Sequence, residues 1–156
     1  MKTSDHGKKQ IIAWEGFEPR VYSDAAGKLT IGVGHLLTPS ELSSGKIWIE
    51  GAPVRYADGL SASQILELLG QDLEGAEAAV NNGVEVELSQ NQFDALVSFC
   101  FNVGAAAFRA STLLKLLNRG QYDDVPAQLR RWVHCRGEVV QGLIRRRQHE
   151  IALWSA

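Results

Sequence analysis

Cysteine is scarce in this chain: among 156 residues only positions 100 and 135 carry one. Two thiols cannot build the disulfide framework of a small secreted domain, and Cys100, inside the apolar run 97–101, reads as a buried free thiol. Long apolar stretches are missing too. No segment approaches the roughly 18–20 apolar residues of a membrane span, and the opening MKTSDHGKKQ lacks the apolar run of a secretory signal. The expectation is a protein made and folded in the cytoplasm, without stable membrane insertion. Net charge is also small, −2, which argues against a dedicated nucleic-acid binder. His134 beside Cys135 invites a metal reading. The other histidines, at 6, 35 and 149, fall at unrelated spacings, so no ligand set emerges and neither metal nor cofactor is expected.

What is present describes one folded domain. Hydrophobic residues make up 45% and charged residues 22%, enough for a real core at this length. Six of the ten arginines fall between positions 130 and 147, opposed there only by Glu138. That run reads either as the solvated side of the last helices or as a face for a polyanion.

The pattern along the chain changes character twice. Residues up to Gly16 read as a short helix. Leu29, Ile31 and Val33 then alternate with Thr30, Gly32 and Gly34, which predicts a strand paired across a turn at residues 24–27. A second hairpin is expected from residues 46–50 and 54–56, joined through Gly51, Ala52 and Pro53. Ser61 to Gln64 is a capping-box pattern that opens a helix of about twenty residues. Further helices are expected at 93–102, 111–118, 125–133 and 143–154. The fold class is therefore α+β: a small β-rich N-terminal lobe (about 12–60), a connecting helix (about 62–81) and an all-helical C-terminal lobe (about 82–156), with a cleft between the lobes.

The chemistry concentrates in residues 15–35, EGFEPRVYSDAAGKLTIGVGH. Glu15 ends the first helix, Asp24 sits in the turn and Thr30 in the second strand. Fully extended, the chain would hold the two carboxyls about 30 Å apart, so they cooperate only if the hairpin reverses it. A carboxyl that keeps its proton can donate it to a glycosidic oxygen, while an ionised one orients water or stabilises positive charge. Each residue also has a plainer reading: Asp24 as the side chain that closes its turn, and Thr30 as a β-former.

Glu15-Gly16-Phe17, Tyr22-Ser23-Asp24, Gly27 and residues 30–35 (TIGVGH) together resemble the signature of the phage-type lysozymes, the T4 lysozyme and endolysin family of muramidases (glycoside hydrolase family 24). Gln71-Asp72-Leu73, residues 91–96 (NQFDAL), 101–104 (FNVG), 111–113 (STL) and 142–147 (GLIRRR) with Glu150 follow in the family's order. The resemblance covers nearly the whole chain from residue 11.

It implies a lysozyme-like fold and hydrolysis of the β-1,4 bond between N-acetylmuramic acid and N-acetylglucosamine in peptidoglycan, ending in host-cell lysis. Glu15 would be the general acid, Asp24 the carboxylate on the opposite face of the sugar, and Thr30 the partner that places water. Leu36, Phe101 and Ser111 match positions lining the family's saccharide cleft, although Leu36 and Phe101 also read as core and Ser111 as a helix cap. His35 would pair with Asp72 by a charge-assisted hydrogen bond. The implied partner is the glycan strand of peptidoglycan, and a monomer is the default. Release to the wall through a separate holin-type lesion fits an endolysin, while delivery as an injected effector or virion component fits the same sequence. Residues 36–60 depart from the compact prototype, and Trp48 and Tyr56 there suit either a groove wall or packing beneath the second hairpin. Two rival readings stay in view: a lytic transglycosylase cutting the same bond without water, and a lysozyme-like module that binds peptidoglycan without cutting it.

Overall fold

A computed structural model describes all residues, 1–156. The chain divides into two compact units, residues 11–74 and residues 1–10 with 75–156. Two helices run through the boundary: α1 (Asp5–Glu15) and α3 (Ala62–Gly83).

The unit of residues 11–74 is the β-rich one. It contains β1 (Glu18–Ser23), β2 (Leu29–Gly32) and β3 (His35–Leu36), an antiparallel sheet in that order, then α2 (Pro39–Ser44) and the hairpin β4 (Lys46–Ile49) with β5 (Ala52–Arg55). Gly16, at φ 84°, ends α1 as its N–H bonds the Ile12 carbonyl at 2.8 Å. The alternating run stops earlier than its pattern suggests. Val33 and Gly34 form a turn, and the chain folds back as β3, with Ile31 opposite His35 and Thr30 opposite Leu36. Thr30 is thereby a central-strand residue, paired with Tyr22 on its other side. Ile31, Val33, Leu37, Ile47, Ile49, Ile65, Leu68 and Leu69 are buried in this unit, whereas Leu29, at the start of its strand, is exposed.

The second hairpin forms with a tighter turn than expected. Its connection is Glu50-Gly51, both at positive φ (51° and 78°), and Ala52 and Pro53 already belong to β5. Pro53 lies opposite Trp48 in a two-stranded sheet whose strands are all edges, where a missing N–H is tolerated. Helix α2 begins at the capping box Thr38-Pro39-Ser40-Glu41, and Ser61 and Gln64 cap the start of α3 reciprocally, at 3.1 and 2.9 Å.

The other unit is helical: α4 (Gln90–Val103), α5 (Ala105–Ala110), α6 (Thr112–Asn118), a 3₁₀ turn at Tyr122–Asp124, α7 (Val125–Leu129) and α8 (Gln141–Trp154). Ser89 caps α4 through a full capping box, and Phe93, Leu96, Phe99, Phe108, Leu113, Leu117 and Leu129 fill the interior. Cys100 is buried, and burial pushes its thiol up to about 11, while Cys135 is exposed. Helix α7 is shorter than the expected 125–133. Val133 is taken into the base of a small hairpin instead, accepting the Val140 N–H at 2.9 Å, and β6 (His134–Cys135) and β7 (Glu138–Val139) pair beyond it. Residues 2–4 are held by buried carboxylates: Thr3 donates its N–H and hydroxyl to Glu77 at 2.6 and 2.9 Å, and Ser4 donates both of its groups to Asp94. No helix is long and apolar enough to cross a membrane.

Candidate active site

The turn between β1 and β2 is built around one carboxylate. Asp24 Oδ1 accepts the N–H of Ala26 at 2.9 Å and of Lys28 at 2.8 Å, and Gly27 at φ 78° closes the reversal. The plainer reading of Asp24 is therefore realised, but by one oxygen only. Oδ2 takes no protein hydrogen bond, so half of a fixed carboxylate is left for solvent or ligand.

Thr30 is tied to the same residue. Its hydroxyl donates to the Lys28 carbonyl at 3.0 Å, and that carbonyl also accepts the Asp24 N–H at 2.9 Å. The backbone of Lys28 thus couples the two side chains the sequence singled out. Thr30 is only 2% exposed, so its hydroxyl is covered by protein.

Glu15 meets this sheet at the next turn. A Cβ added to Gly34 would fall 2.5 Å from Glu15 Oε2 and 3.2 Å from its Cβ, so the carboxyl lies against a bare backbone. Only glycine permits that approach, and its φ of 64° favours glycine again. Tyr22, on β1, reports the grouping electrostatically. Burial first, and then the carboxylates of Glu15, Glu18 and Asp24, raise its phenol above the ordinary value. Glu15 and Asp24 thus act on one phenol from the two ends of the same sheet. Glu18, which the sequence reading passed over, adds a third carboxylate to this field.

His35 lies between two carboxylates rather than beside one. Its Nδ1 is 2.8 Å from Asp72 Oδ2, and its Nε2 is 2.9 Å from Glu41 Oε1. Burial alone would lower its pKa. The hydrogen bonds and charges of Asp72, then those of Glu41, outweigh burial and raise it to about 9. Both ring nitrogens therefore carry protons at neutral pH, leaving no lone pair for base catalysis. Glu41 was missed in the sequence, although the Thr38-x-x-Glu41 capping box with Pro39 was a readable sign of the helix that carries it.

The remaining candidates are placed as follows. Leu36 is exposed on β3, next to His35. Phe101 is half-buried on α4 and Ser111 is buried, both in the helical unit. Ser111 spends its hydroxyl on structure: it donates to the Phe108 carbonyl at 2.6 Å and accepts the Leu114 N–H at 3.2 Å as the cap of α6. It also lines a cavity of about 420 Å³ together with Gln128, Arg131 and Trp132. Tyr56 packs inward and bonds the Glu41 carbonyl at 2.8 Å, while Trp48 stands in solvent.

Four likenesses bear on this geometry. The family model described as phage lysozyme matches residues 12–150. The endolysin of Salmonella phage P22 is 36% identical over 154 residues, covering 99% of this chain and 98% of that protein. The endolysin of Bacillus phage PZA is 35% identical across all of this chain, which spans 56% of that protein's length. Among solved structures, a P22 lysozyme mutant superposes with a TM-score of 0.81 at 34% identity, over 100% of this chain and 99% of that one.

Proposed function

The chain belongs to the phage lysozyme family, and from that premise we propose that it is an endolysin-type muramidase with Glu15, Asp24 and Thr30 as its reacting set. The substrate is the peptidoglycan strand, and the bond cut is the β-1,4 linkage from N-acetylmuramic acid to N-acetylglucosamine.

Glu15 donates a proton to the glycosidic oxygen as that bond breaks, which removes the need to expel an alkoxide. Asp24 Oδ2 and the Thr30 hydroxyl hold the water that attacks the sugar carbon; Asp24 takes the proton this water loses, and its charge offsets the positive charge growing at that carbon. Gly34 leaves room for the Glu15 carboxyl, and His35, doubly protonated, braces β3 against α2 and α3. The observation that carries the reading is the division at Asp24, with Oδ1 committed to two backbone N–H groups and Oδ2 unoccupied by protein. A carboxylate needed only for its turn would gain nothing from a hydroxyl tethered to the same Lys28.

Product analysis of purified sacculi tests this. Hydrolysis gives new reducing ends, whereas 1,6-anhydromuramic ends would transfer the assignment to a transglycosylase. Glu15→Gln should lower the rate by about 10²–10⁴-fold. Failure of the unmodified protein to release any product would leave only a binding module.

A further inference from the structure

The outward face of the β4–β5 hairpin combines two unusual features. Trp48 is 64% exposed, more than any other large hydrophobic residue in the chain. Lys46 lies directly opposite Arg55, and Trp48 directly opposite Pro53, so all four share one face while Ile47 and Ile49 point inward. Cross-strand neighbours sit about 5 Å apart and alternate residues along a strand about 7 Å, so both cations lie beside the indole. Like charges directly opposed across a hairpin repel each other. Neither Lys46 nor Arg55 has a carboxylate within salt-bridge distance to relieve this.

The platform is also held rigid. Gln71 on α3 donates to the Trp48 carbonyl at 2.9 Å and accepts the Glu50 N–H at 2.7 Å, clipping the hairpin on both sides of Ile49. A fixed exposed indole loses little freedom when it stacks on a partner.

We propose that this face is a second contact for the peptidoglycan strand, with Trp48 stacking on a sugar ring and Lys46 and Arg55 meeting carboxylates of the strand's peptides. The inference rests on the muramidase reading for the identity of the polymer. The surface requires a partner with an apolar ring face and anionic groups within about 7 Å of it. A glycan carrying acidic peptides offers both in one repeat. The platform lies on a different sheet from Asp24 and Thr30, and the role proposed for it is to retain the polymer.

Sedimentation of the full chain with purified sacculi on ice, before turnover, reads retention directly. Trp48→Ala and the double variant Lys46→Gln/Arg55→Gln should each weaken retention by about fivefold. The double variant should also lose most of its salt dependence, and Trp48→Tyr should recover most of the binding lost in Trp48→Ala. Release of reducing ends from short soluble glycan oligomers of several disaccharide repeats should stay unchanged in all of them. Unchanged retention in Trp48→Ala would overturn the proposal. Loss of binding to phosphatidylglycerol vesicles with retention on sacculi intact would also overturn it, in favour of a lipid surface. If retention falls as expected but the unmodified protein yields no cleavage product, the catalytic reading fails and this one stands.

Discussion

The Nδ1 of His35 lies 2.8 Å from Asp72 Oδ2, and this contact outranks the one to Glu41 in raising the imidazole to about 9. A histidine whose folded pKa exceeds its unfolded value of about 6.5 stabilises the fold while protonated. That stabilisation is complete below about pH 6.5 and is lost as pH rises through about 9. After allowance for screening it is on the order of 2 kcal/mol. Thermal melts of the protein and of His35→Asn should differ clearly at pH 6 and converge above pH 9.5 or so. Parallel curves across that range would contradict the assignment. An NMR titration of the ring should show a larger fall in pKa for Asp72→Asn than for Glu41→Gln.

Asp24→Asn separates the two oxygens of that side chain. The amide oxygen can still accept from Ala26 and Lys28, so the turn should survive with a change in stability of about 1 kcal/mol or less. The charge at Oδ2 is gone, and lysis of sacculi should fall by at least about 10²-fold. Near-normal activity in a folded Asp24→Asn protein would return Asp24 to a purely structural role.

Gly34→Ala tests the approach of Glu15. The new methyl would lie 2.5 Å from Oε2, so the carboxyl must move, and the φ of 64° adds about 1 kcal/mol of backbone cost. The expected result is a modest loss of melting temperature and a disproportionate loss of kcat. A crystal structure of the variant with Glu15 undisplaced would refute the steric account.

In the helical unit, Glu150 is the carboxylate of a buried group. It lies 2.7 Å from Arg147 Nε and 3.5 Å from Arg146 Nε, and it accepts the Ser98 hydroxyl at 2.7 Å. Neutralising it leaves the buried Arg147 guanidinium without its counter-ion, so Glu150→Gln should cost about 3–5 kcal/mol. Calorimetry should register this as a fall in Tm of about 10 °C for a domain of this size. A double change to well-packed apolar residues at 147 and 150 should recover part of the loss.

The parts of this protein that were legible in its sequence are those whose signals are local. The helix stop at Gly16, the Asp24 turn, the β2 strand through Thr30 and the capped start of α3 each lie within a few residues of their causes. Tertiary partners were harder to read. Glu41 reaches His35 only because a six-residue helix folds back beside β3, and Glu18 adds to the field on Tyr22 only once the sheet is assembled. Pro53 drew the expected turn toward itself, although Glu50-Gly51, both at positive φ, make the reversal. Val133 continued an amphipathic pattern but was claimed by a backbone bond from Val140, which no periodicity foretells.

In the proposed mechanism Asp24 serves its turn with one oxygen and the substrate water with the other, so its side-chain length is constrained twice. Glutamate keeps the charge but adds a methylene, which would carry its oxygen beyond the Ala26 and Lys28 N–H groups that Asp24 Oδ1 reaches. On the proposed mechanism, chemistry and folding therefore converge on the two oxygens of one side chain. A molecule that has failed to close this turn would then also lack the proposed site. Slow amide exchange at Ala26 and Lys28 would then count competent molecules, with no substrate present.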